Sequence, residues 1–152
     1  YQLGLSQKMG LPSFHKDSFD CAMAFLRILQ TEQLDYTQSF IRLQNHEYEA
    51  IKDDCLDRRA FEGFLAQYES IRAHQDTDAL DAEMAKANPH YILRNHMAQK
   101  AIELAERNDF SEVERLFILL SQPYLKQPEL ETTEDLGPLP SDVPEVMVSC
   151  SS

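Results

Sequence analysis

The stretch DRRAFEGFLAQYESIR, residues 57–72, decides the fold class of this chain. Its apolar side chains recur at spacings i, i+3, i+4, i+7 and i+10, as Phe61, Phe64, Leu65, Tyr68 and Ile71. That spacing lines one face of an α-helix, because a helix completes a turn about every 3.6 residues. Asp57 stands before the run and is a residue type that favours helix N-caps. The stretch therefore predicts an amphipathic helix that begins near residue 57.

Similar periodicity runs through most of the chain up to about residue 121. Three more apolar faces are predicted: Phe19, Ala22, Leu26 and Leu29; Leu93, Met97, Ala101, Leu104 and Ala105; and Val113, Leu116, Phe117 and Leu120. Shorter helices are expected at Gln2–Met9, Thr37–Leu43 and Thr77–Ala87. No alternating run with hairpin turns is present. The sequence therefore predicts an all-α bundle of about six to seven helices.

Two local signals mark helix ends. Asn88-Pro89 should end the helix before it, since the residue preceding a proline is pushed out of helical geometry. Ser111 is predicted to be the N-cap of the helix that follows it, with Glu114 in capping-box position.

The character of the chain changes after Ser121. Five of the seven prolines, at positions 123, 128, 138, 140 and 144, lie there among acidic and small polar residues. Such composition indicates extended or irregular chain. We therefore predict a helical domain over residues 1–124 and an acidic, proline-rich tail over 125–152, which ends in Cys-Ser-Ser.

Charge excludes some classes of partner. The chain has 14 basic and 26 acidic residues and a net charge of -12. Phosphate backbones and anionic lipid surfaces repel such a protein, so we expect neither nucleic acid nor membrane as a partner. The chain begins at Tyr1 rather than at methionine, and no signal peptide is visible. We expect a piece of a longer protein.

The sequence contains no recognisable catalytic constellation. Its four glycines are scattered, so there is no Gly-rich phosphate loop, and the five histidines lack metal-ligand spacing. We therefore predict no catalytic residue, no metal site and no cofactor for this chain by itself. Three cysteines favour a reducing, intracellular setting over a disulfide framework. Cys21 is expected to be buried, whereas Cys55 fits either a buried or an exposed position.

The segment NPHYILRNHMAQKAIELAERNDFSEVERLFILLSQPY, residues 88–124, is more specific. Pro89 is expected to start a helix, which would place Arg94 and Asn95 one turn inside it. An arginine at such a place is more often a structural clamp than a substrate ligand. We therefore predict a structural or interface role for Arg94 and Asn95.

This segment resembles the selenoprotein O (SelO, or YdiU) family. Three other stretches agree in the expected order: SQKMGL at 6–11, LDYTQSFIRL at 34–43 and the terminal VSCSS. The resemblance covers essentially the whole chain and is loosest over residues 46–87 and 125–145. It implies the C-terminal region of a pseudokinase that transfers AMP from ATP, with Mg²⁺ or Mn²⁺, to Ser, Thr or Tyr of protein substrates.

The resemblance places the nucleotide, metal and catalytic residues upstream of this chain, so no catalytic residue is carried over. The chain would then support a kinase-like domain, its partner, and would be inactive by itself. Cys150 matches a position that is selenocysteine or cysteine in the family and can form a regulatory disulfide with that domain. The implied location is the bacterial cytoplasm, or the mitochondrion for a eukaryotic parent. The alternative is an independent acidic helical adaptor that binds a basic protein.

Overall fold

The computed structural model describes residues 2–13 and 15–138, and this part of the chain is all-α as predicted. Eight α-helices and one short 3₁₀ turn, Thr133–Asp135, make up its regular structure, and no strand is present in these residues. The helices are α1 (Gln2–Lys8), α2 (Ser18–Thr31), α3 (Tyr36–Gln44), α4 (Tyr48–Asp54), α5 (Arg58–Arg72), α6 (Thr77–Ala87), α7 (Asn95–Ala105) and α8 (Ser111–Ser121).

The chain divides into two compact units, which we call unit 1 (Tyr1–Pro89) and unit 2 (His90–Ser152). Unit 1 contains α1 to α6, and unit 2 contains α7 and α8. The separation of a helical domain, 1–124, from a tail, 125–152, stays a prediction.

Unit 1 is held by an aromatic core. In α5, Phe61, Phe64, Tyr68 and Ile71 are buried, and Leu65 is half-buried, as the periodicity predicts. The ring of Phe64 stacks on Phe25 of α2 with centroids 4.8 Å apart. Asp57 caps α5, because its side chain accepts a hydrogen bond from the Ala60 N–H at 3.1 Å. Burying these rings is the main favourable contribution to the stability of unit 1.

Unit 2 has a smaller core. It consists of Tyr91, Met97, Ala101, Leu116 and Leu119, with Leu120, Leu130 and Leu136 partly buried against it. Residues 125–136 pack on α7 and α8 through the last two of these leucines, so the described beginning of the predicted tail belongs to the packed unit. Its irregular backbone contains turns and the 3₁₀ turn.

The structure corrects the predicted start of α7. The helix begins at Asn95 rather than at Pro89. Residues 90–94 are non-helical, because the N–H groups of His90 and Tyr91 both donate to the carbonyl of Pro123, at 2.8 and 3.3 Å. Tyr91 enters the core of unit 2, and Leu93, which was expected on the apolar face, is 59% exposed. Tertiary contacts therefore override the preference of proline for a first helical turn.

The structure also corrects α8. Ser111 is not its N-cap; the side chain of Asp109 accepts from the Ser111 N–H at 3.0 Å, and the capping box with Glu114 does not form. Only part of the predicted apolar face is buried, since Val113 and Phe117 are 43% and 74% exposed. One helix was missed altogether, α4, whose seven residues are too few to display a clear period.

Candidate functional site

Two stretches that are far apart in sequence meet at the end of α1. The Nζ of Lys8 donates to the Ala87 carbonyl at 2.8 Å, and the Asn88 side-chain amide donates back to the Lys8 carbonyl at the same distance. Asn88 is 1% exposed and also donates to the Gln44 side chain at 3.3 Å. Lys8 Nζ lies 5.7 Å from the centroid of the Phe40 ring. Parts of SQKMGL, LDYTQSFIRL and the Asn-Pro segment therefore form one junction.

Next to this junction lies a buried arginine, Arg72, which is 4% exposed. Its Nη1 donates to the Gly10 carbonyl at 3.0 Å and to the Tyr68 hydroxyl at 2.9 Å. Its Nη2 donates to Asp81 of α6, and the Tyr68 hydroxyl donates to the Met9 carbonyl at 2.8 Å. We call Arg72, Tyr68 and Asp81 the Arg72 cluster. It ties α5 to α6 and to the loop after α1.

Glycine is required at position 10 of this arrangement. Gly10 has φ of +57°, a left-handed conformation that L side chains rarely adopt. A Cβ atom there would lie 2.3 Å from Nη1 of Arg72 and 2.5 Å from the sulfur of Met84. The Met-Gly pair of SQKMGL therefore presents two carbonyls to buried donors, and no side chain fits between them.

The Arg72 cluster opens onto a cavity of about 450 Å³, lined also by His46, Tyr48, Glu69, Ala73 and Thr77. His46 bridges the cavity, with Nε2 3.1 Å from Oδ2 of Asp81 and Nδ1 2.7 Å from the Tyr48 hydroxyl.

The charges beside the cavity are paired with each other, as in a cluster that stabilises the fold. Burial raises the pKa of Tyr68 far above its ordinary value, although the Arg72 charge opposes the shift. Burial works against the charge of Arg72, yet Tyr68 and Asp81 raise its pKa. Because the guanidinium and the Asp81 carboxylate already bind each other, the cluster presents neither an uncompensated charge nor a nucleophile. This geometry stabilises unit 1 and gives no indication of a reaction.

Unit 2 has a corresponding ionic network around Arg115 of α8. Its Nη2 lies 2.7 Å from Glu112, and its Nη1 donates to Oδ2 of Asp135 at 2.7 Å and to the Leu130 carbonyl at 2.8 Å. Asp135 is 2% exposed, and burial would raise its pKa, but hydrogen bonds from Arg115 and Thr132 lower it overall. The hydrogen bond from Arg115 likewise lowers the pKa of Glu112. We call Arg115, Glu112 and Asp135 the Arg115 network.

Sequence reasoning missed the Arg72 cluster and the Arg115 network. Each arginine is one of many charged residues on an amphipathic helix, where a solvated side chain is the usual expectation. Gly10 was the one feature in the sequence that pointed to part of this arrangement. An isolated glycine just after a short helix suggests a left-handed backbone conformation, which the structure shows at Gly10.

The predicted site residues lie as follows. Arg94 directly precedes α7 in extended conformation and is half-buried, while Asn95 is the first helical residue and is exposed. Their structural or interface role stays a prediction, and Cys150 lies outside the described residues. Cys21 is buried as predicted, and burial raises the pKa of its thiol to about 12. Cys55 is buried too, and its pKa is also raised by burial. A protonated thiol is a poor nucleophile, so both suit structural roles.

Two features are absent from the described part of the chain. No group of three or more His, Cys, Asp or Glu side chains there could hold a metal ion. None of the helices in residues 2–13 and 15–138 has the length and apolar character that crossing a lipid bilayer requires.

Comparison with known proteins places the chain in a family. The model of the family described as protein adenylyltransferase SelO matches residues 1–121. The chain belongs to the SelO family. Three curated relatives, each named protein nucleotidyltransferase YdiU, come from Pectobacterium atrosepticum, Cupriavidus metallidurans and Thioalkalivibrio sulfidiphilus. They are 38%, 39% and 37% identical to this chain over 95%, 95% and 97% of its length.

The SelO relatives are much longer than the chain described here. The matched regions make up 31%, 28% and 31% of the three relatives. The chain therefore spans about three tenths of their length. The family model matches the part of the chain that contains the whole Arg72 cluster. It also contains Arg115 and Glu112 of the Arg115 network, whereas Asp135 lies beyond it.

Proposed function

We propose that this chain is the C-terminal helical domain of a SelO-type protein adenylyltransferase. The parent enzyme would transfer AMP from ATP to Ser, Thr or Tyr hydroxyls of protein substrates. The observation that carries the proposal is the family match over residues 1–121, combined with coverage of 28–31% of three relatives named protein nucleotidyltransferases. In this proposal the chain supports a kinase-like part of the same polypeptide, which is its main partner.

ATP and Mg²⁺ or Mn²⁺ belong to the other part of the parent in this proposal. The described residues contain no cluster that could hold a metal ion, and the charged groups of the Arg72 cluster are already paired. In this proposal the chain itself contacts neither nucleotide nor metal and is inactive alone. Neither nucleic acid nor membrane is a proposed partner, since the net charge is -12. The proposed location is the cytoplasm.

The experiment that tests the proposal uses the full-length parent with Mg²⁺ and a generic protein substrate. Transfer is compared between ATP labelled on the α-phosphate and ATP labelled on the γ-phosphate. We expect the α label alone to reach protein, because AMP transfer retains the α-phosphate and releases pyrophosphate. Transfer of the γ label would mean an ordinary kinase and contradict the proposal. Transfer of neither label, under oxidising and reducing conditions alike, would favour the acidic adaptor instead.

We also propose that Cys150 regulates the parent through a disulfide with a cysteine of the kinase-like part. Forming this disulfide removes two electrons and two protons from the two cysteine thiols. A small disulfide such as oxidised glutathione would accept them by thiol–disulfide exchange and would be released as two thiols. Cys21 and Cys55 are poor candidates for this role, because both are buried and their pKa values are raised. The parent with Cys150→Ser should show α-label transfer that no longer differs between oxidising and reducing buffers. Unchanged redox sensitivity in that variant would contradict the proposal.

A further inference from the structure

The inner face of α8 accounts for its packing within unit 2. It contains Leu116 and Leu119, which are 6% and 0% exposed, and Glu112 of the Arg115 network. These residues face the core of unit 2 and the segment around Leu130. One apolar face of this kind is what a helix on the surface of a domain requires.

The outer face of α8 is apolar as well. Phe110, Val113 and Phe117 follow one another at i, i+3 and i+7, and are 55%, 43% and 74% exposed. We call these three residues the outer stripe of α8. A helix that is apolar on opposite sides is typical of the interior of a protein, and large apolar patches at the surface mark interaction sites. The outer stripe therefore indicates a surface that another element covers.

We propose that the outer stripe of α8 docks on the remainder of the parent polypeptide. This inference rests on the proposed function, because it takes the chain to be part of a longer SelO protein. Its support is length: three relatives are matched over 28–31% of their sequences, so more than two thirds of a family member lies outside this chain. Aromatic side chains such as Phe117 are enriched where protein surfaces bind each other.

Charge defines the complementary surface and disfavours a second copy as the occupant. Glu106 and Glu114, which precede and follow Phe110 by four residues in the sequence, are both exposed, and the chain has a net charge of -12. Two copies that met through this stripe would bring these carboxylates and two strongly acidic surfaces together, which costs free energy. The surface that fits is an apolar depression with a basic rim.

The test is site-specific thiol labelling of the full-length parent with a maleimide, read by mass spectrometry of the peptide that contains the introduced cysteine. Phe117→Cys is compared with Glu103→Cys, an exposed position on α7. Residue 117 should react roughly tenfold or more slowly than residue 103 in the folded parent, because it must first become exposed by local opening. In the 152-residue chain alone, the two positions should react at rates within a few-fold of each other.

Equal, fast labelling of both positions in the parent would overturn the proposal. Slow labelling of Phe117→Cys in the 152-residue chain would overturn it as well, by showing that this chain or a second copy already covers the stripe. Dependence of that slow rate on protein concentration would identify the second copy.

A second measurement uses Phe117→Ser, which should lower the thermal midpoint of the parent and leave that of the 152-residue chain unchanged. Lowering in neither protein would contradict docking. Failure of the proposed function would look different: residue 117 would stay protected in a parent that transfers no α label. Such a result would retain the docking surface and remove adenylylation.

Discussion

Unit 1 and unit 2 differ in the size of their buried cores and in how many large apolar side chains they leave exposed. Unit 1 has a core cluster of seventeen buried residues, and its buried cation, Arg72, is satisfied within the unit. Unit 2 has a buried cluster of five. Of the twelve large hydrophobic side chains exposed among the described residues, nine belong to unit 2.

This difference shows that an apolar face with helical periodicity is not always buried within its own unit. Among the described residues of unit 1, three large hydrophobic side chains are exposed: Leu3, Tyr36 and Leu56. Unit 2 has a smaller core beside a charged network, and the docking proposed above would cover part of its exposed apolar area. Mutations should therefore act on unit 1 through its interior, whereas the outer stripe should matter only in the parent.

The largest effect is expected for Arg72→Ala. It removes the donor to the Tyr68 hydroxyl and the Gly10 carbonyl and breaks the ion pair with Asp81, which retains its contact with His46. Asp81 is partly exposed, so the main cost is the two buried acceptors left without their donor, at about 1–3 kcal/mol each; the free energy of unfolding of unit 1 should fall by roughly 3 kcal/mol. Urea unfolding, followed by pulsed hydrogen exchange of α5 peptides, measures this.

The control for Arg72→Ala is Arg58→Ala, whose ion pair with Asp53 is exposed on both sides. Exposed pairs contribute about 0–1 kcal/mol, so this variant should resemble the wild type. Similar effects of the two substitutions would contradict the assigned role of the Arg72 cluster.

The next largest effect is expected for Gly10→Ala. The added methyl would be strained by φ of +57° and would overlap Arg72 and Met84. We expect a loss of about 2 kcal/mol or more in unit 1. Gly4→Ala is the matched control, because Gly4 lies in α1 and a Cβ added there would have nothing within 4 Å. It should stabilise by about 0.5–1 kcal/mol. The same sign for both substitutions would refute this explanation.

A smaller, pH-dependent effect is expected for Arg115→Met in unit 2. The folded-state pKa values of Glu112 and Asp135 are lowered by Arg115, so their contribution is present above the ordinary carboxyl range and is lost as pH falls. The variant should be destabilised by about 2 kcal/mol at pH 7, because the Asp135 carboxylate would be buried and unpaired. The difference from wild type should shrink at about pH 3, where carboxyl groups bind protons.

Pulsed hydrogen exchange of α8 peptides in urea, at the two pH values, measures this difference. Lys100→Met serves as the control, since the Lys100–Glu134 pair is exposed. It should have little effect at either pH. A destabilisation by Arg115→Met that is independent of pH would show that lost packing, and not the ion pairs, is responsible.

The smallest effect is expected for Phe117→Ala in the 152-residue chain, within about 0.5 kcal/mol of wild type, since exposed side chains contribute little to stability. Leu119→Ala, two residues away and 0% exposed, should cost about 2–4 kcal/mol. Urea unfolding read on α8 peptides compares them. Equal costs would mean that the outer stripe is packed within the chain, which would remove the contrast between the units.

Local sequence determined much of unit 1. The period of residues 61–71 predicted α5 and its buried face, and Asp57 marked its start. Thr77–Ala87 was predicted with the observed bounds, because the proline that follows Asn88 disfavours helical geometry at that residue. Cys21 was correctly expected to be buried. These features depend on residues within about one or two helical turns of each other, so the local sequence is sufficient to predict them.

Tertiary structure decided the rest. The start of α7 depends on hydrogen bonds to the Pro123 carbonyl, the fate of Arg72 depends on Gly10 and Asp81, and the buried side of α8 depends on Leu130 and Asp135. Each of these contacts joins residues that are nine to 62 positions apart in sequence. A helical period states that a face is apolar, but not which surface will cover it. That choice depends on long-range packing, which local periodicity does not encode.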